Sequence, residues 1–488
     1  MHHDAVMALS PLLILAGTAI VVLLASAFCR SHRLAVGLTL AGLAAAFAAL
    51  AVAWPHAPRL VTALLVIDRF ALFYMGMIIA ATFAVVMFAH DYLETNYGPV
   101  GADAESPTFR REEFYVLLLL AATGAAVLVA SVHFASFFLG LELLSVALYA
   151  LVAYRRENGL GIEAGVKYLI LGGTSSAFLL FGMALVYAAL GSLEFAGMAH
   201  SMTQGAAGGL LPLAGVALMI VGVGFKLSVV PFHGWAPDVY QGASAPATAF
   251  VATVSKGAVF ALLLRFFGML QVPRHGSVAT AVALLAVASM FAGNWLALLQ
   301  SNVKRMLAYS SIAHMGYLLV ALLAVGAWAP IAVACYLTAY FVTTLGAFGV
   351  VAALSPRSRD ADVVEDYRSL AWRRPWTAGV FTAMLLSLAG IPLTIGFIGK
   401  FTVLAAGVSS NLWLLVVVLV INSVIGLFYY LRLIAVMYRL PAEGTAVVVA
   451  SPLPQMSRAA LFILTLALVA LGAYPAPLIR VIQACMAP

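Results

Sequence analysis

Fourteen apolar runs, each near the roughly 20 residues that span a bilayer core, follow one another along this chain with little between them. They cover 9–29, 34–54, 69–90, 114–131, 135–154, 164–190, 210–241, 245–270, 277–299, 303–325, 329–354, 376–407, 411–438 and 457–478. In hydrocarbon every backbone polar group needs a partner within the protein, so runs of this length can cross only as helices. The expected fold class is an all-α polytopic membrane protein with about fourteen transmembrane helices. Composition agrees, since only 9% of the residues are charged, against roughly 25% in soluble domains. The longest connections, 91–113 and 355–375, are too short for an extramembrane catalytic domain. Met-His-His-Asp precedes the first run, with no basic stretch and no small-residue cleavage site. That run is expected to be a retained helix rather than a signal peptide.

Charge and cysteine content remove several functions. The net charge of +7 is spread over short loops, which sets membrane topology and gives no reason to expect a nucleic-acid partner. Loops after odd-numbered runs carry Arg30, Arg33, Arg110, Arg111, Arg155, Arg156, Lys304, Arg305, Arg357, Arg359, Arg368, Arg373, Arg374, Arg439 and Arg458. Loops after even-numbered runs carry only Arg59, Arg69 and Arg274. This bias predicts odd-to-even loops in the cytoplasm and both termini on the other side. Cys29, Cys335 and Cys485 form no CxxC pair and cannot supply the four thiolates of an ordinary iron–sulfur cluster. Gly222-x-Gly224 lies within an apolar run and lacks the strand context of a dinucleotide fold. Redox chemistry or ATP use is therefore expected in other chains, and no cofactor or metal is expected in this one.

Three of the five lysines lie inside apolar runs: Lys226, Lys256 and Lys400. A charge near the bilayer centre costs at least about 2.5–3.5 kcal/mol, so such residues usually face a polar cavity and carry function. A buried lysine can lose its proton and an arginine effectively cannot, and the arginines read as sitting at helix ends or in loops. The pattern points to protons moving through the membrane. Glu142, early in the fifth run, is expected to pair with Lys226 and to switch its charge by a change of distance. Lys256, about 16 Å into the eighth run, reads as a central relay, with Lys400 towards the exit. His314 and His233 are candidate relay groups, and Ser228, Ser255, Tyr309, Ser310, Ser311 and Thr394 could join these sites. For Asp238 a cap or loop contact competes evenly with a pathway role. Structural ion pairs and helix–helix hydrogen bonds are the competing readings throughout. The remaining acids, Asp91, Glu94, Asp103, Glu105, Glu112, Glu113, Asp360, Asp362, Glu365 and Asp366, read as solvated loop charge.

Two runs are expected to be discontinuous. Pro231 removes a backbone bond and frees the Leu227 carbonyl beside Lys226. Gly390, Pro392, Gly396 and Gly399 interrupt the twelfth run before Lys400. Broken helices at membrane depth mark ion sites in transporters, although a proline kink is also ordinary there. The breaks fall at matching positions in two five-helix blocks, the fourth to eighth and the ninth to thirteenth runs. Glu142 precedes Lys226 by 84 residues and His314 precedes Lys400 by 86. An odd repeat unit implies two inverted five-helix repeats. The expected division is 1–113, three helices and a loop; 114–270 and 271–440, the repeats; and 441–488, a C-terminal helix.

The stretch GFKLSVVPFHGWAPDVYQGASAPATAFVATVSKGA, with LQSNVKRMLAYSSIAHMGYLLVAL and LAGIPLTIGFIGKF, closely resembles the antiporter-like membrane subunits of respiratory complex I (NADH:quinone oxidoreductase) and related cation antiporters. The likeness runs from about 114 to 440. Lysine rather than glutamate in GFIGKF, in a chain without a long lateral helix, resembles the N-type branch. The resemblance implies that Glu142 and Lys226 form a working pair, with Lys256 the central relay and Lys400 the terminal lysine. It also implies that partner subunits hold the flavin, iron–sulfur clusters and quinone while this chain translocates protons. Expected partners are the lipid bilayer and other membrane subunits, especially neighbouring antiporter-like and small ones. A bacterial inner membrane fits fourteen helices, alanine-rich composition and basic loops. The alternatives are a subunit of a multi-subunit sodium/proton antiporter, a scaffold whose buried charges only hold helices together, and, more distantly, a carrier for an organic substrate.

Overall fold

The structure, a computed structural model, describes residues 2–97, 110–203, 209–270, 276–357, 359–441 and 453–486. Two long helices, α1 (His2–Phe28) and α2 (His32–Ala53), lead to a hairpin of β1 (Arg59–Thr62) and β2 (Leu65–Ile67) and then to α3 (Arg69–Tyr97). There follow α4 (Glu112–Ala130), α5 (Phe134–Val152), α6 (Gly159–Leu190), the short α7 (Phe195–Thr203), α8 (Leu210–Leu227), α9 (Trp235–Gly242) and α10 (Ala245–Phe250). A π-helical turn, Val251–Ser255, joins α10 to α11 (Lys256–Leu270). The rest is helical too: α12 (Gly276–Leu298), α13 (Val303–Leu323), α14 (Trp328–Leu354), α15 (Leu370–Arg373), α16 (Pro375–Ala389), α17 (Ile395–Ser409), α18 (Trp413–Tyr438), α19 (Gln455–Ala473) and α20 (Ala476–Met486).

Among the described residues, 13 helices are long and apolar enough to cross a membrane. The expected twelfth span is missing from that set because it is broken: α16 and α17 have 15 residues each, too few to cross alone. Only residues 390–394 separate them, and together the two have the length of the expected crossing. The seventh run breaks as well, but earlier than Pro231. Ser228 ends α8 in the left-handed region at φ 54°, and its hydroxyl donates to the Leu227 carbonyl at 2.6 Å. The carbonyl expected to be left free is thus satisfied by the neighbouring side chain. Gly390 ends α16 in the same left-handed conformation, at φ 89°. The eighth run contains the π-turn immediately before Lys256. Such turns widen a helix locally and are frequent at functional sites. The hairpin, α7 and the short α20 were not expected, because none is long or apolar enough to stand out as a run.

Two inverted units organise the middle of the molecule. His133 caps α5 and bridges to Glu194, while Asn302 caps α13 and bridges to Val363. From 133 to 302 and from 194 to 363 the shift is the same, 169 residues. In one unit α4 packs on α5 and α6 on α8; in the other α12 packs on α13 and α14 on α16 and α17. The inversion is visible against α3. Val132 N–H bonds Leu64 O beside the start of α3, whereas Tyr92, near its other end, bonds Asp360 in the loop that pairs with Val303. One shift of 169 also sets Glu142 against Ser311, one turn before His314.

Small residues allow each unit's first two helices to touch backbone to backbone. A Cβ on Gly124 would meet the backbone of Leu144, and one on Gly293 the backbone of Ala313, again 169 residues apart. Gly124→Leu and Gly293→Leu are each expected to lower the midpoint of thermal unfolding in detergent, by the equivalent of about 1–3 kcal/mol for overpacking.

Candidate functional site

The three membrane lysines are buried, each 7% exposed or less, and none makes an ion pair with a carboxylate among the described residues. Lys256 lies where the units meet. Its Nζ donates to Ser228 Oγ at 2.5 Å and to Ser311 Oγ at 2.7 Å, and it stands 5.5 Å from the centre of the Tyr240 ring. Ser228 belongs to the break after α8 and Ser311 to α13, so one amine ties the first unit's broken helix to the second unit. From Ser311 the hydrogen bonding continues to the Tyr340 hydroxyl at 2.6 Å.

Lys226, in the last turn of α8, has no hydrogen-bond partner on Nζ. The amine sits over two ring faces, Tyr149 at 5.4 Å and Tyr168 at 5.1 Å. The expected Glu142–Lys226 contact is not made. Glu142 instead accepts from Ser176 Oγ on α6 at 2.5 Å. Tyr149, two turns along the same face of α5, occupies the place over the amine, and Glu142 remains partly exposed beside the outward-facing Leu143.

Lys400 lies beyond its break, in α17, and reaches back across it. Its Nζ donates to Ala389 O at the end of α16 (2.7 Å) and to Ser423 Oγ on α18 (2.8 Å), 5.4 Å from the Tyr317 ring centre. Lys226 precedes its break and Lys400 follows its own, so the two lysines flank the breaks on opposite sides. His314 falls between Lys256 and Lys400 in the second unit. Its Nδ1 pairs with the Tyr336 hydroxyl at 2.7 Å and its Nε2 with Tyr430 at 3.3 Å, and Tyr430 bonds Ser310 in turn.

His233 does not join this line. It is half-buried in the turn between α8 and α9, and its Nδ1 has no partner. Asp238 is held in the first turn of α9 by Lys167 (2.8 Å) and Arg305 (2.7 Å), which gives it a clasping contact rather than a place on the line. Thr394 caps α17. Tyr317, Tyr336, Tyr340 and Tyr430 were missed in the sequence, where each reads as an apolar core residue. The spacing of Tyr336 and Tyr340, four apart and so on one helix face, was the available signal. Asn294 was missed too: it donates to the Tyr317 hydroxyl at 3.0 Å and accepts from Tyr429 at 3.1 Å.

Two acids contradict their reading as solvated loop charge, and four are not in loops at all: Asp91 and Glu94 lie in the last turns of α3, and Glu112 and Glu113 open α4. Asp360 is buried and meets Lys304 at 2.5 Å, Arg155 at 3.2 Å and the Tyr92 hydroxyl at 2.5 Å. Asp91 is buried as well, against His90 at 2.9 Å and the Ser457 N–H at 2.6 Å. The start of α19 packs on α3 over Asp91, and helix ends close over the loop that holds Asp360, so these carboxylates exchange water for fixed donors. Asp366 is nearer expectation: the Arg359 fork holds its carboxyl below the usual carboxylate range. Asp103 and Glu105 lie outside the described residues.

Comparison with known proteins places this geometry. Residues 131–426 match the family described as NADH:quinone oxidoreductase/Mrp antiporter, TM. A protein of Nitrosospira multiformis named NADH-quinone oxidoreductase subunit N is 52% identical over 99% of this chain and 96% of its own length. Its counterpart of the same name in Ectopseudomonas mendocina is 48% identical over 99% of this chain and 98% of its own. A chain of respiratory complex I from Thermus thermophilus superposes with a TM-score of 0.79 at 33% identity, covering 96% of this chain and 98% of that one. A chain of the Mrp complex from Dietzia has a TM-score of 0.84 at 19% identity, over 100% of this chain and 97% of that one, a likeness of fold alone. The chain belongs to the NADH:quinone oxidoreductase/Mrp antiporter membrane-subunit family, on the branch of NADH-quinone oxidoreductase subunit N.

Proposed function

We propose that this chain translocates protons as a multi-pass membrane subunit of an NADH:quinone oxidoreductase, without carrying electrons itself. Flavin, iron–sulfur clusters and quinone belong to partner subunits in this reading, and neighbouring antiporter-like and small membrane subunits flank the chain. It lies in a bacterial inner membrane with both termini on the periplasmic side. The observation that carries the reading is a set of three buried amines without carboxylate partners among the described residues, the middle one, Lys256, bonded to a hydroxyl of each unit where the two meet.

Each residue has a task in this scheme. With Glu142 held by Ser176, the direct contacts of a charged Lys226 amine are ring faces, worth about 0.5–2 kcal/mol. A shift that brings Glu142 across Tyr149 would replace that support with an ion pair and hold the proton on Lys226. Withdrawal of Glu142 sends the proton on. Ser228, two residues further along the chain, already accepts from Lys256, and a hydroxyl can accept one proton while donating another. Lys256 then passes it through Ser311 and Tyr340 towards His314, and Lys400 releases it at the second break. Partner redox events act by moving α5 against α8. The sodium/proton antiporter alternative is not favoured, because the two relatives at 48% and 52% identity are named subunit N and the Mrp likeness is distant.

The test is proton pumping and electron transfer measured side by side in membranes carrying Lys226→Ala, once assembly of the complex has been confirmed. We expect both to fall together. Unchanged rates in both assays would reduce Lys226 to a packing charge and remove the mechanism.

A further inference from the structure

We infer that the chain holds one anionic phospholipid, its phosphate in a vestibule beside Arg69 and its acyl chain in a crevice that ends at the broken helix after α8. The vestibule is a cavity of about 810 Å³ among the start of α3, the end of α11, the α13–α14 turn and α20. Three charged side chains line it: Asp68, Arg69 and Arg265. Asp68 and Arg265 cancel, since both Arg265 guanidinium NH₂ groups bond the Asp68 carboxylate, at 2.7 and 2.9 Å. Asp68 also caps α3 by accepting from Ala71 N–H at 2.8 Å. Arg69 is left as the uncompensated cation. It is exposed, has no carboxylate or carbonyl acceptor among the described residues, and stacks 5.4 Å from the Trp54 ring centre. A tryptophan with an arginine at a helix end is the signature of headgroup depth in a bilayer. The described residues that line the vestibule therefore carry a net charge of +1 at the level where lipid phosphates lie.

The remaining wall of the vestibule is apolar, which distinguishes a lipid from a free phosphate. It shares Phe267 and Leu322 with a second, almost wholly apolar crevice. That crevice descends along α8 from Pro212 through Val216 and Ile220 to Leu227 and Val229. The fifteen steps along the helix from Pro212 to Leu227 rise about 22 Å, more than the roughly 15 Å of one leaflet's hydrocarbon. A tail in this crevice reaches the break itself, because Leu227 and Val229 flank Ser228, the hydroxyl that accepts from Lys256. Occupied, the crevice keeps water on the lipid side away from the Ser228–Lys256 contact. That consequence rests on the proton-translocation reading; the binding itself does not.

The experiment uses the whole purified complex and counts phospholipid by extraction and mass spectrometry, without reference to pumping. Arg69→Gln is expected to retain about fivefold less of one anionic phospholipid, the value of one arginine facing an anionic lipid. Val216→Trp, which fills the crevice, is expected to lose the same lipid. Equal retention in parent and both variants would overturn the site. Should either variant fail to assemble, add-back to delipidated parent complex decides. Recovery of heat stability with phosphatidylglycerol, but not with phosphatidylcholine or inorganic phosphate, supports the proposal. Recovery with inorganic phosphate alone, equal recovery with phosphatidylcholine, or none with any of the three, overturns it.

Discussion

Replacing Lys256 with methionine is expected to stop proton translocation while leaving the protein assembled. The structure makes this substitution unusually clean. Both hydroxyls that receive the amine have second partners: Ser228 donates to Leu227 O at 2.6 Å, and Ser311 pairs with Tyr340 at 2.6 Å. Removing Lys256 therefore strands neither of them, and methionine occupies a similar volume in a site where the lysine is 0% exposed. What disappears is the titratable amine that bonds Ser228 of the first unit's break and Ser311 of the second unit. A positioned acid–base group contributes about 10²–10⁴-fold to proton transfer, so pumping should fall by about 10²-fold or more. Electron transfer should fall with it if the two are tightly coupled. Acidification measured in sealed membranes, normalised to assembled complex, reads the outcome. Pumping that persists at near the parental rate would mean that Lys256 only packs the joint between the units.

The second large effect is expected at Asp360 and is one of stability. This carboxylate is the shared anion of Lys304 and Arg155, whose side chains are only 1% and 8% exposed. Lys304 also donates to Ala243 O at the end of α9, so the cluster fastens the first unit's broken helix to the loop that leads into the second's. Asp360→Ala leaves two buried cations without an anion. Breaking a buried ion pair in this way costs about 3–5 kcal/mol, a large share of the about 5–15 kcal/mol that folded domains have. We expect little assembled complex in membranes carrying Asp360→Ala. The double variant with Lys304→Met should recover part of it, because it removes one of the two uncompensated charges. Abundance on native gels and the temperature of heat inactivation measure both. An Asp360→Ala complex as abundant and heat-stable as the parent would show that the triad holds nothing together.

These two residues also mark how differently pathway and clasp were written in the chain. Lys256 stands out in the sequence because charge inside an apolar run is rare and costly. Its neighbours Ser311 and Tyr340 do not, since serine and tyrosine are ordinary in membrane helices and nothing in their local spacing tells which helix they face. Asp360 was read as solvated because it lies between apolar runs. A loop residue's exposure depends on what folds over it, and three distant segments, those of Tyr92, Arg155 and Lys304, meet this one.

The Glu142–Lys226 contact shows the same limit at closer range. Both residues are legible as buried charges, and pairing them was the economical reading of two opposite charges at membrane depth. In the structure Tyr149 and Tyr168 occupy the space over the amine and Glu142 turns to Ser176. Which of two acceptable partners a side chain takes is a matter of packing between helices. The amino-acid order carries only the candidates.

By itself, the sequence determined the membrane-spanning class, the number of crossings, the two breaks and the identity of the buried amines. Each of these follows from local physics: the length of an apolar run, the loss of a backbone donor at proline, the conformational freedom of glycine, the cost of charge in hydrocarbon. Only the tertiary structure decided that Ser228, Lys256 and Ser311 meet, that Lys226 sits among aromatic rings, and that Asp360 is buried. Those are contacts between segments tens to hundreds of residues apart. Their geometry is set by how the inverted units pack, a property that no single segment contains.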